Sequence, residues 1–326
     1  MKAIIPAAGI GKRLQPHTYN RPKVMVPLAG KPILEHISIS LFKAGFDEIS
    51  VIVGYKKETI IDYFNKKYPG HFKFPVQEEM KGLGHAILYG LEDIDEPVLI
   101  ILGDTIIDLD MSLLKGTDNN VIAVVEVEDP SRFGIVETNE QGKIIRMIEK
   151  PKNPQSNLAI AGAYYIQSQR KLKSAIETLI KHDIKTRNEY QLTDALVLMM
   201  ENGEIFKALS IQAWYDCGTV ETLLSTNRHL LSKGTEIKGK CINCKIIDPV
   251  YISEGAMITN STIGPNAAIG EHVSVKGSSI DDSMINNGAE IIDSKLHNSI
   301  VGYGTKVSGY EGELNIGDEE TLSTKQ

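Results

Sequence analysis

A glycine-containing turn near the start of the chain carries two adjacent basic side chains. The residues of Ala7-Ala8-Gly9-Ile10-Gly11 are mostly small, and Lys12 and Arg13 follow them directly. Small residues let backbone N–H groups approach an anion closely, and the two cations add charge-assisted contacts. This combination favours a site that cradles phosphate groups with main-chain and side-chain donors.

The charges around this turn are unevenly distributed. Residues 1–34 contain no Asp or Glu, although the 326-residue chain has 42 acidic residues and a formal net charge of -7. The basic residues of that segment are Lys2, Lys12, Arg13, Arg21, Lys23 and Lys31. A local positive field in an acidic protein suits a polyanionic small ligand, whereas a solvated basic face would give the same pattern. The net negative charge argues against nucleic acid as the main partner.

Two common phosphate-binding loops do not fit this turn. The Walker pattern has a longer stretch between its glycines and then Lys-Ser or Lys-Thr, whereas a single residue separates Gly9 from Gly11. The dinucleotide pattern G-x-G-x-x-G requires a third glycine where Leu14 stands. The turn therefore predicts a different class of phosphate site.

The turn follows an apolar strand in a chain that alternates strands and helices. Strands are predicted at Lys2 to Pro6, Ile49 to Val53, Val98 to Leu102, Val121 to Val127 and Leu158 to Ile166, with a hairpin over residues 134–149. Helices are predicted from Pro32, with Ile33, Ile37 and Leu41 on one face and Gly45 after the end, and over residues 220–233. This alternation predicts an α/β fold with a largely parallel sheet.

The composition changes after Gly234, where Leu becomes rare and Ile, Val, Gly, Ser and Asn dominate. Apolar residues recur there in steps of five or six, at Ile246, Ile252, Ile258, Ile263, Ile269, Val275, Ile280, Ile285, Ile291, Leu296, Val301 and Val307. A period near six with glycines at the corners is typical of a hexapeptide parallel β-helix. An antiparallel sandwich would instead alternate apolar and polar residues over longer strands.

Composition also limits the compartment and the cysteine chemistry. No apolar run is long enough to span a bilayer, and the start of the chain is too short for a signal-peptide core, which predicts a cytoplasmic protein. Cys217, Cys241 and Cys244 are too few for a disulfide framework. The isolated C-x-x-C of Cys241 and Cys244 is predicted to pack rather than to bind zinc.

The turn also begins the most specific motif of the chain. The run Gly9-Ile10-Gly11-Lys12-Arg13-Leu14-Gln15-Pro16-His17-Thr18, followed by Arg21-Pro22-Lys23, resembles the G-x-G-T-R-L-x-P-x-T…P-K signature of the sugar-1-phosphate nucleotidyltransferases. Within that family the sequence is most similar to the long form of glucose-1-phosphate thymidylyltransferase, which carries a C-terminal left-handed hexapeptide β-helix. Lys12 replaces the usual Thr of the signature.

Further segments resemble the family in order and spacing. They are Gln77 with Gly82-Leu83-Gly84-His85-Ala86, then Leu102-Gly103-Asp104, Glu149-Lys150-Pro151, Asn188 to Asp194, and Trp214-Tyr215-Asp216-Cys217-Gly218-Thr219. The resemblance implies a Rossmann-like domain with a mixed, mostly parallel sheet over residues 1–234 and a parallel β-helix over residues 241–318. It also implies that a hexose 1-phosphate, glucose 1-phosphate above all, attacks the α-phosphate of dTTP or UTP and releases pyrophosphate, with Mg²⁺ as cofactor.

The resemblance assigns a role to individual residues. It implies nucleotide binding by Ala8, Gly9, Gly11, Lys12, Arg13, Gln77 and Gly82, and catalysis by Arg13 and Lys23. It implies Mg²⁺ ligation by Asp104 and Asp216, and sugar-phosphate binding by Gly134, Glu149, Lys150 and Gly162. Simpler alternatives stay open: the aspartates as helix N-caps, the basic residues as surface charges, Glu149 and Lys150 as an ion pair, and the glycines as turn residues. For residues 188–194 the sequence suggests helix capping by Thr193 or Asp194.

The base and the assembly are the least determined features. Family thymidylyltransferases have a Gln after the lysine that corresponds to Lys23, whereas this chain has Val24, which favours UTP or a purine triphosphate. Two alternative functions are acyl transfer by the β-helix and a non-catalytic nucleotide-sugar sensor. The β-helix is predicted to form a homo-oligomer, because stacked coils leave open ends and flat flanks.

Overall fold

The computed structural model describes residues 2–114 and 117–324 of the chain. Contacts separate the chain into two units. The first unit comprises Met1–Gly9 and His36–Trp214, and the second comprises Ile10–Glu35 and Tyr215–Gln326. The domains expected from the sequence pattern, residues 1–234 and 241–318, are a different division and stay a prediction. No helix among the described residues is both long and apolar enough to cross a membrane.

Strands and helices alternate up to residue 231. The strands are β1 (Lys2–Pro6), β2 (Pro27–Leu28), β3 (Lys31–Pro32), β4 (Glu48–Ile52), β5 (Phe72–Lys73), β6 (Val98–Ile101), β7 (Thr105–Ile107), β8 (Asn120–Glu126), β9 (Gly134–Thr138), β10 (Ile144–Glu149), β11 (Leu158–Ile166), β12 (Phe206–Ser210) and β13 (Trp214–Asp216). The helices are α1 (Ile33–Lys43), α2 (Lys57–Lys67), α3 (Leu83–Leu88), α4 (Gln169–Lys181), α5 (Leu192–Glu201) and α6 (Val220–Leu231). Short 3-10 turns occupy Lys12–Leu14, Lys23–Met25, Met111–Leu114 and Pro130–Arg132.

The first unit is built on a mixed sheet of nine described strands in the order β10-β9-β11-β6-β1-β4-β5, with β8 beside β11 and β12 beside β8. Strand β1 runs parallel to both β4 and β6, whereas β11 runs antiparallel to β6, β8 and β9. Ala3, Ile4 and Ile5 are fully buried, which explains why β1 has a continuous apolar sequence. The expected α/β fold with a mixed sheet is confirmed.

Parallel pairing brings three chain segments to one edge of this sheet. Ala8 and Gly9 follow the end of β1, and Asp104 follows the end of β6. A bridge between Val53 and Val76 continues the β4–β5 pair, so Gln77 emerges beside the end of β4. Ligands of open α/β sheets bind outside the carboxyl ends of the strands. This edge is therefore where the first unit can form a site.

The second unit contains a parallel β-helix. Its strands are β14 (Glu236–Ile237), β15 (Lys240–Ile242), β16 (Lys245–Ile246), β17 (Val250–Ile252), β18 (Met257–Thr259), β19 (Thr262–Ile263), β20 (Ala267–Ile269), β21 (Ser274–Lys276), β22 (Ser279–Asp281), β23 (Met284–Ile285), β24 (Glu290–Ile292), β25 (Lys295–His297), β26 (Ile300–Val301), β27 (Lys306–Ser308), β28 (Glu311–Gly312), β29 (Asn315–Ile316) and β30 (Thr321–Ser323). Every third strand joins the same sheet, so three parallel sheets form the walls.

The repeating aliphatic residues stack inside these walls. One wall pairs Ile252, Ile269, Ile285, Val301 and Ile316 in successive coils, and another pairs Ile258, Val275, Ile291 and Val307. The predicted series is buried except for Ile246, which is partly exposed in the first coil and still packs against the core. Cys241 and Cys244 also pack against this core, as expected. Burying one aliphatic per strand is the main stabilising contribution of each coil.

Buried serines connect the corners of successive coils. The hydroxyl oxygen of Ser261 accepts from the backbone N–H of Ser278, that of Ser278 accepts from Ser294, and that of Ser294 accepts from Tyr310. A second series runs from Ser283 to Ser299. These bonds satisfy corner amides that the strand pairing leaves over.

The β2–β3 hairpin and helix α6 pack along the β-helix within the second unit. Gly30 lies directly against the ring of Tyr251, where a Cβ would not fit. The backbone N–H of Ala29 donates to Asn227 of α6 at 2.9 Å, and Arg228 of α6 forms an ion pair with Asp282. Segment 10–35 thus packs along the stacked coils, whose residues are about 200 or more positions away in the sequence.

We expect Ile280→Ala to lower the free energy of unfolding of the β-helix by about 2 to 5 kcal/mol, because it leaves a cavity in a fully packed interior. Ile242→Ala is the matched control, because Ile242 lies on β15 with 57% of its surface exposed and should change stability by less than about 0.5 kcal/mol. Urea unfolding followed by circular dichroism measures both. Equal effects would contradict the inward placement of the series.

Candidate active site

The carboxyl ends of the first unit's parallel strands carry the backbone of Ala8 and Gly9 and the carboxylate of Asp104. The carbonyl of Ala8 accepts from the N–H of Tyr55 at 3.2 Å, and Gly9 is exposed with open space around its α-carbon. Asp104 is half-buried in the turn between β6 and β7. A strand rather than a helix follows Asp104, so the alternative that it caps a helix is wrong.

Glu149, at the end of β10, has a fixed orientation. Its Oε2 accepts from the hydroxyl of Thr193 on α5 at 2.7 Å, and its Oε1 lies 3.2 Å from Nζ of Lys150. A Cβ on Gly134 would lie 3.0 Å from Oε2 of Glu149 and 3.3 Å from Oγ1 of Thr193. Gly134 therefore leaves room beside the carboxylate. The ion pair considered for Glu149 and Lys150 exists, with 10% of the Glu149 side chain exposed.

Carboxylates are concentrated around the same part of the first unit. Burial, with the charges of Glu149 and Asp104, raises the pKa of Tyr164, which keeps its phenol protonated. The pKa of Asp194 is also raised, mainly by burial. A hydrogen bond from Thr186 lowers this pKa, and the negative charge of Glu149 raises it further. Within the described residues, Oδ2 of Asp194 has no hydrogen-bond partner. The region is rich in acceptors, which suits hydroxyl groups and cations.

Residues 188–194 pack against the segment that contains Gln77 and Gly82. The side-chain amide of Gln77 is buried, 3.1 Å from Nδ1 of His85 and 3.4 Å from the carbonyl oxygen of Gly82. The backbone of Tyr190 donates to Lys81 and accepts from Gly84, and a Cβ on Gly82 would lie 2.7 Å from the Tyr190 carbonyl. The contact explains both glycines of the G-L-G run. It also gives residues 188–194 a positioning role that their sequence did not reveal.

The signature turn lies in the second unit. Gly11 has φ +73° and precedes the 3-10 turn of residues 12–14, a backbone conformation that favours glycine. Within the part of the chain that the structure describes, the N–H groups of Gly11, Lys12 and Arg13 donate to no protein acceptor. Lys12 and Arg13 are exposed. Three amides and two cations in succession are available for an anion.

The catalytic candidates of the second unit meet around two glycines. A Cβ on Gly218 would lie 2.7 Å from Oδ2 of Asp216 and 3.0 Å from Nη2 of Arg13, so these two side chains converge on Gly218. A Cβ on Gly11 would lie 2.7 Å from Cβ of Lys23, which is buried. Asp216 is not the N-cap of α6, because Thr219 fills that position in a capping box with Thr222.

Two sequence interpretations change in the structure. The N-cap of α5 is Gln191, so the expected capping by Thr193 or Asp194 is wrong, and Thr193 binds Glu149 instead. Gly162 has φ +85° at a bulge of β11, and its α-carbon packs against Leu102, the residue that leads into Gly103 and Asp104. Gly162 thus lies within a strand, so the alternative that it is a turn residue is wrong, and sugar contact by Gly162 stays a prediction.

Comparison with known proteins gives consistent matches. Residues 2–233 match the Nucleotidyl transferase family. The Bifunctional protein GlmU of Methanocaldococcus jannaschii is 42% identical over 261 residues, which cover 79% of this chain and 61% of that protein. The UTP–glucose-1-phosphate uridylyltransferase AglF of Haloferax volcanii is 33% identical over 245 residues, which cover 72% of this chain and 99% of that protein. The chain thus spans about three fifths of the length of that GlmU protein.

A solved structure, UDP-glucose pyrophosphorylase complexed with UDP-glucose, has a TM-score of 0.60 and 30% sequence identity to this chain. The match covers 71% of this chain and 98% of that chain. The similarity therefore extends over that whole protein but over part of this one.

We expect Thr193→Val to lower the free energy of unfolding of the first unit by about 1 to 3 kcal/mol, because the mostly buried Glu149 loses its hydroxyl donor. Thr193→Ser retains the hydroxyl and should restore most of the loss. Thr178→Val, on the exposed side of α4, is the control for the substitution itself. Urea unfolding measures all three, and equal stability of the two valine variants would refute the proposed link to Glu149.

Proposed function

The chain belongs to the Nucleotidyl transferase family, and from that premise we propose that it is a Mg²⁺-dependent sugar-1-phosphate nucleotidyltransferase. A hexose 1-phosphate, with glucose 1-phosphate the first candidate, attacks the α-phosphate of a nucleoside triphosphate, and pyrophosphate leaves. The proposal rests mainly on the three available amides of Gly11, Lys12 and Arg13. The side chain of Arg13 also lies beside Gly218, as does the carboxylate of Asp216. Such donors can bind the triphosphate and can also stabilise the negative charge that develops on the leaving pyrophosphate.

Positive charge and orientation are what the proposed reaction needs. The attacking phosphate oxygen is already ionised near neutral pH, because the second phosphate pKa is about 6, so no side chain has to remove a proton. The obstacle is repulsion between two phosphate esters. Arg13 and Lys23 are the proposed catalytic cations, and Gly11 and Lys12 hold the triphosphate with their backbone groups. Ala8, Gly9, Gln77 and Gly82 are the proposed contacts of the nucleoside.

Asp104 and Asp216 are the proposed Mg²⁺ ligands. Their donor chemistry fits, because Mg²⁺ prefers carboxylate oxygens and completes its shell with water and phosphate oxygens. Among residues 2–114 and 117–324, no group of three or more His, Cys, Asp or Glu side chains could enclose a metal on its own. When bound, the ion would neutralise phosphate charge, and the chain's own residues would hold and orient the two esters.

The sugar phosphate is assigned to the acceptor-rich part of the first unit. An ionised carboxylate only accepts hydrogen bonds, so Glu149, oriented by Thr193, suits the hydroxyls of a hexose. Gly134 leaves space beside it, and Lys150 supplies the positive charge for the attacking phosphate. Gly162 is the remaining proposed contact of the sugar phosphate.

Uridine is the base that the available observations favour. Val24 is buried and offers no side-chain hydrogen bond, and the matched relatives include a UTP–glucose-1-phosphate uridylyltransferase. The solved structure that matches holds UDP-glucose. The β-helix is proposed to support a homo-oligomer, and the expected location is the cytoplasm.

We expect pyrophosphate release when UTP and glucose 1-phosphate are combined with Mg²⁺, with dTTP next in rate. A coupled pyrophosphate assay over five nucleoside triphosphates and several sugar 1-phosphates measures this. Addition of EDTA should abolish turnover. Activity with no pair of substrates would overturn the proposed function.

We expect Asp104→Asn, Asp216→Asn and Arg13→Gln each to lower kcat by about a hundredfold to a thousandfold, because each removes charge stabilisation at the reacting phosphates. Asp62→Asn on α2 and Arg146→Gln on β10 are matched controls on exposed surfaces and should retain full activity. An Asp216→Asn variant with normal turnover would contradict the metal assignment and favour a non-catalytic role for this carboxylate.

A further inference from the structure

The signature segment is attached to the last coils of the β-helix. Between residues 10 and 26, the described backbone forms two short 3-10 turns and no longer element. Its backbone hydrogen bonds are short-range, so its placement on the coils depends on side-chain contacts. Those contacts, all within the second unit, are made by Pro16, His17, Asn20 and Arg21 with residues 303–318.

Arg21 is enclosed by two residues of these coils. Its guanidinium carbon lies 3.4 Å from the centroid of the Tyr303 ring, and its Nη2 lies 2.8 Å from Oδ2 of Asp318. The other oxygen of Asp318 accepts from the backbone N–H of Tyr303 at 3.0 Å. The Arg21 and Asp318 side chains are 13% and 6% exposed. A stacked, paired and largely buried guanidinium is committed to the protein rather than available to a substrate.

A second attachment lies four residues earlier in the segment, at His17. His17 is buried, with Nε2 2.5 Å from Oδ1 of Asn315. Burial lowers the pKa of His17, so the ring stays neutral there. Pro16 packs against Gly317, where a Cβ would lie 2.9 Å from Cβ of Pro16. The segment is thus attached at two points, one on each side of Thr18.

The attached residues lie close to the catalytic candidates in the sequence and in space. Pro22, with its restricted backbone, separates Arg21 from Lys23. Lys23 touches Gly11 at its β-carbon, and the Thr18 hydroxyl donates to the Gly11 carbonyl at 3.0 Å. Fixing Arg21 and His17 therefore fixes the turn that presents the available amides.

We propose that the Arg21–Tyr303–Asp318 cluster positions Arg13, Lys23 and the Gly11 turn for phosphate transfer, so that the end of the β-helix acts as a template for the catalytic segment. This role rests on the proposed function. Arg21, Tyr303 and Asp318 are positioning residues and do not contact the substrates. The β-helix thereby contributes to catalysis from within the same chain, independently of any role in assembly.

A double-mutant cycle on the full-length chain tests the proposal. Arg21→Gln and Asp318→Asn should each lower kcat by about tenfold to a hundredfold, because small displacements of positioned groups have effects of that size. KM for both substrates should change by less than about threefold, since ground-state contacts are retained. The double variant should lose little more than either single variant. If Arg21 bound phosphate directly, its loss would far exceed that of Asp318→Asn and the two effects would multiply, which would overturn the proposal.

Matched substitutions separate positioning from general instability. Tyr303→Phe keeps the aromatic ring and should retain kcat, whereas Tyr303→Leu loses the stacked face and should behave like Asp318→Asn. Lys295→Gln removes an exposed ion pair with Glu311 on the same coils and should have no effect. Melting temperatures of all variants identify any that fail to fold, and Tyr303→Phe compared with Tyr303→Leu then decides the question.

Hydrogen exchange provides a readout that needs no turnover. Amides of residues 11–25 should exchange faster in Asp318→Asn and Tyr303→Leu than in the wild-type chain, while the first unit is unchanged. If the wild-type chain releases no pyrophosphate with any substrate pair, the proposed function fails while the attachment is still measured by exchange. Unchanged exchange in both variants would overturn the inference.

Discussion

Backbone amides that are to bind an anion cannot also be paired in secondary structure, and this constraint applies to the proposed phosphate-binding turn of the second unit. An amide that is paired in a helix or a sheet cannot also donate to a phosphate, so the turn at Gly11, Lys12 and Arg13 has few backbone hydrogen bonds of its own, such as that from Leu14 N–H to the Gly11 carbonyl. Side-chain contacts supply the rest of its order. Segment 10–35 packs along the stacked coils, with Arg21 and His17 as the main side-chain attachments.

The two units carry complementary chemistry. The first unit collects acceptors, with Asp104, Glu149 and Asp194 in one region around the protonated phenol of Tyr164 and the hydroxyl of Thr193. The second unit supplies amide donors and the guanidinium of Arg13. A hexose presents hydroxyl donors and a triphosphate presents acceptors, so each proposed substrate meets groups of the opposite kind.

Features that depend on neighbouring residues were predictable from the sequence. The limits of β1 and β11 agree with the predicted strands, because continuous apolar runs bounded by polar or glycine-containing turns determine them. The period of five to six residues predicted the β-helix because every coil repeats the same burial. The signature motif and the ordered segments after it predicted the family.

Contacts between distant residues left no such pattern. Thr193 and Glu149 are 44 residues apart, and Arg21 and Asp318 are 297 residues apart, so no local periodicity connects either pair. Thr193 was interpreted as a cap because hydroxyl residues commonly begin helices, yet the helix begins one residue earlier and the hydroxyl serves a carboxylate. Arg21 contributed to the sequence analysis as one charge among six, whereas its stacking on Tyr303 depends on the folded coils that bring the two distant residues together.

Segment 10–35 also contacts the β-helix at two separate positions along its axis. Gly30 packs on Tyr251 in β17, while Arg21 packs on Tyr303 directly after β26, with the coils of β20 and β23 stacked between them. Solenoids ordinarily gain or lose whole repeats by duplication or deletion, since each repeat contacts its immediate neighbours alone. Here an added or missing repeat between these two tyrosines would move one attachment by a full strand spacing. A change in repeat number between Tyr251 and Tyr303 would therefore disrupt one of the two contacts that hold the segment.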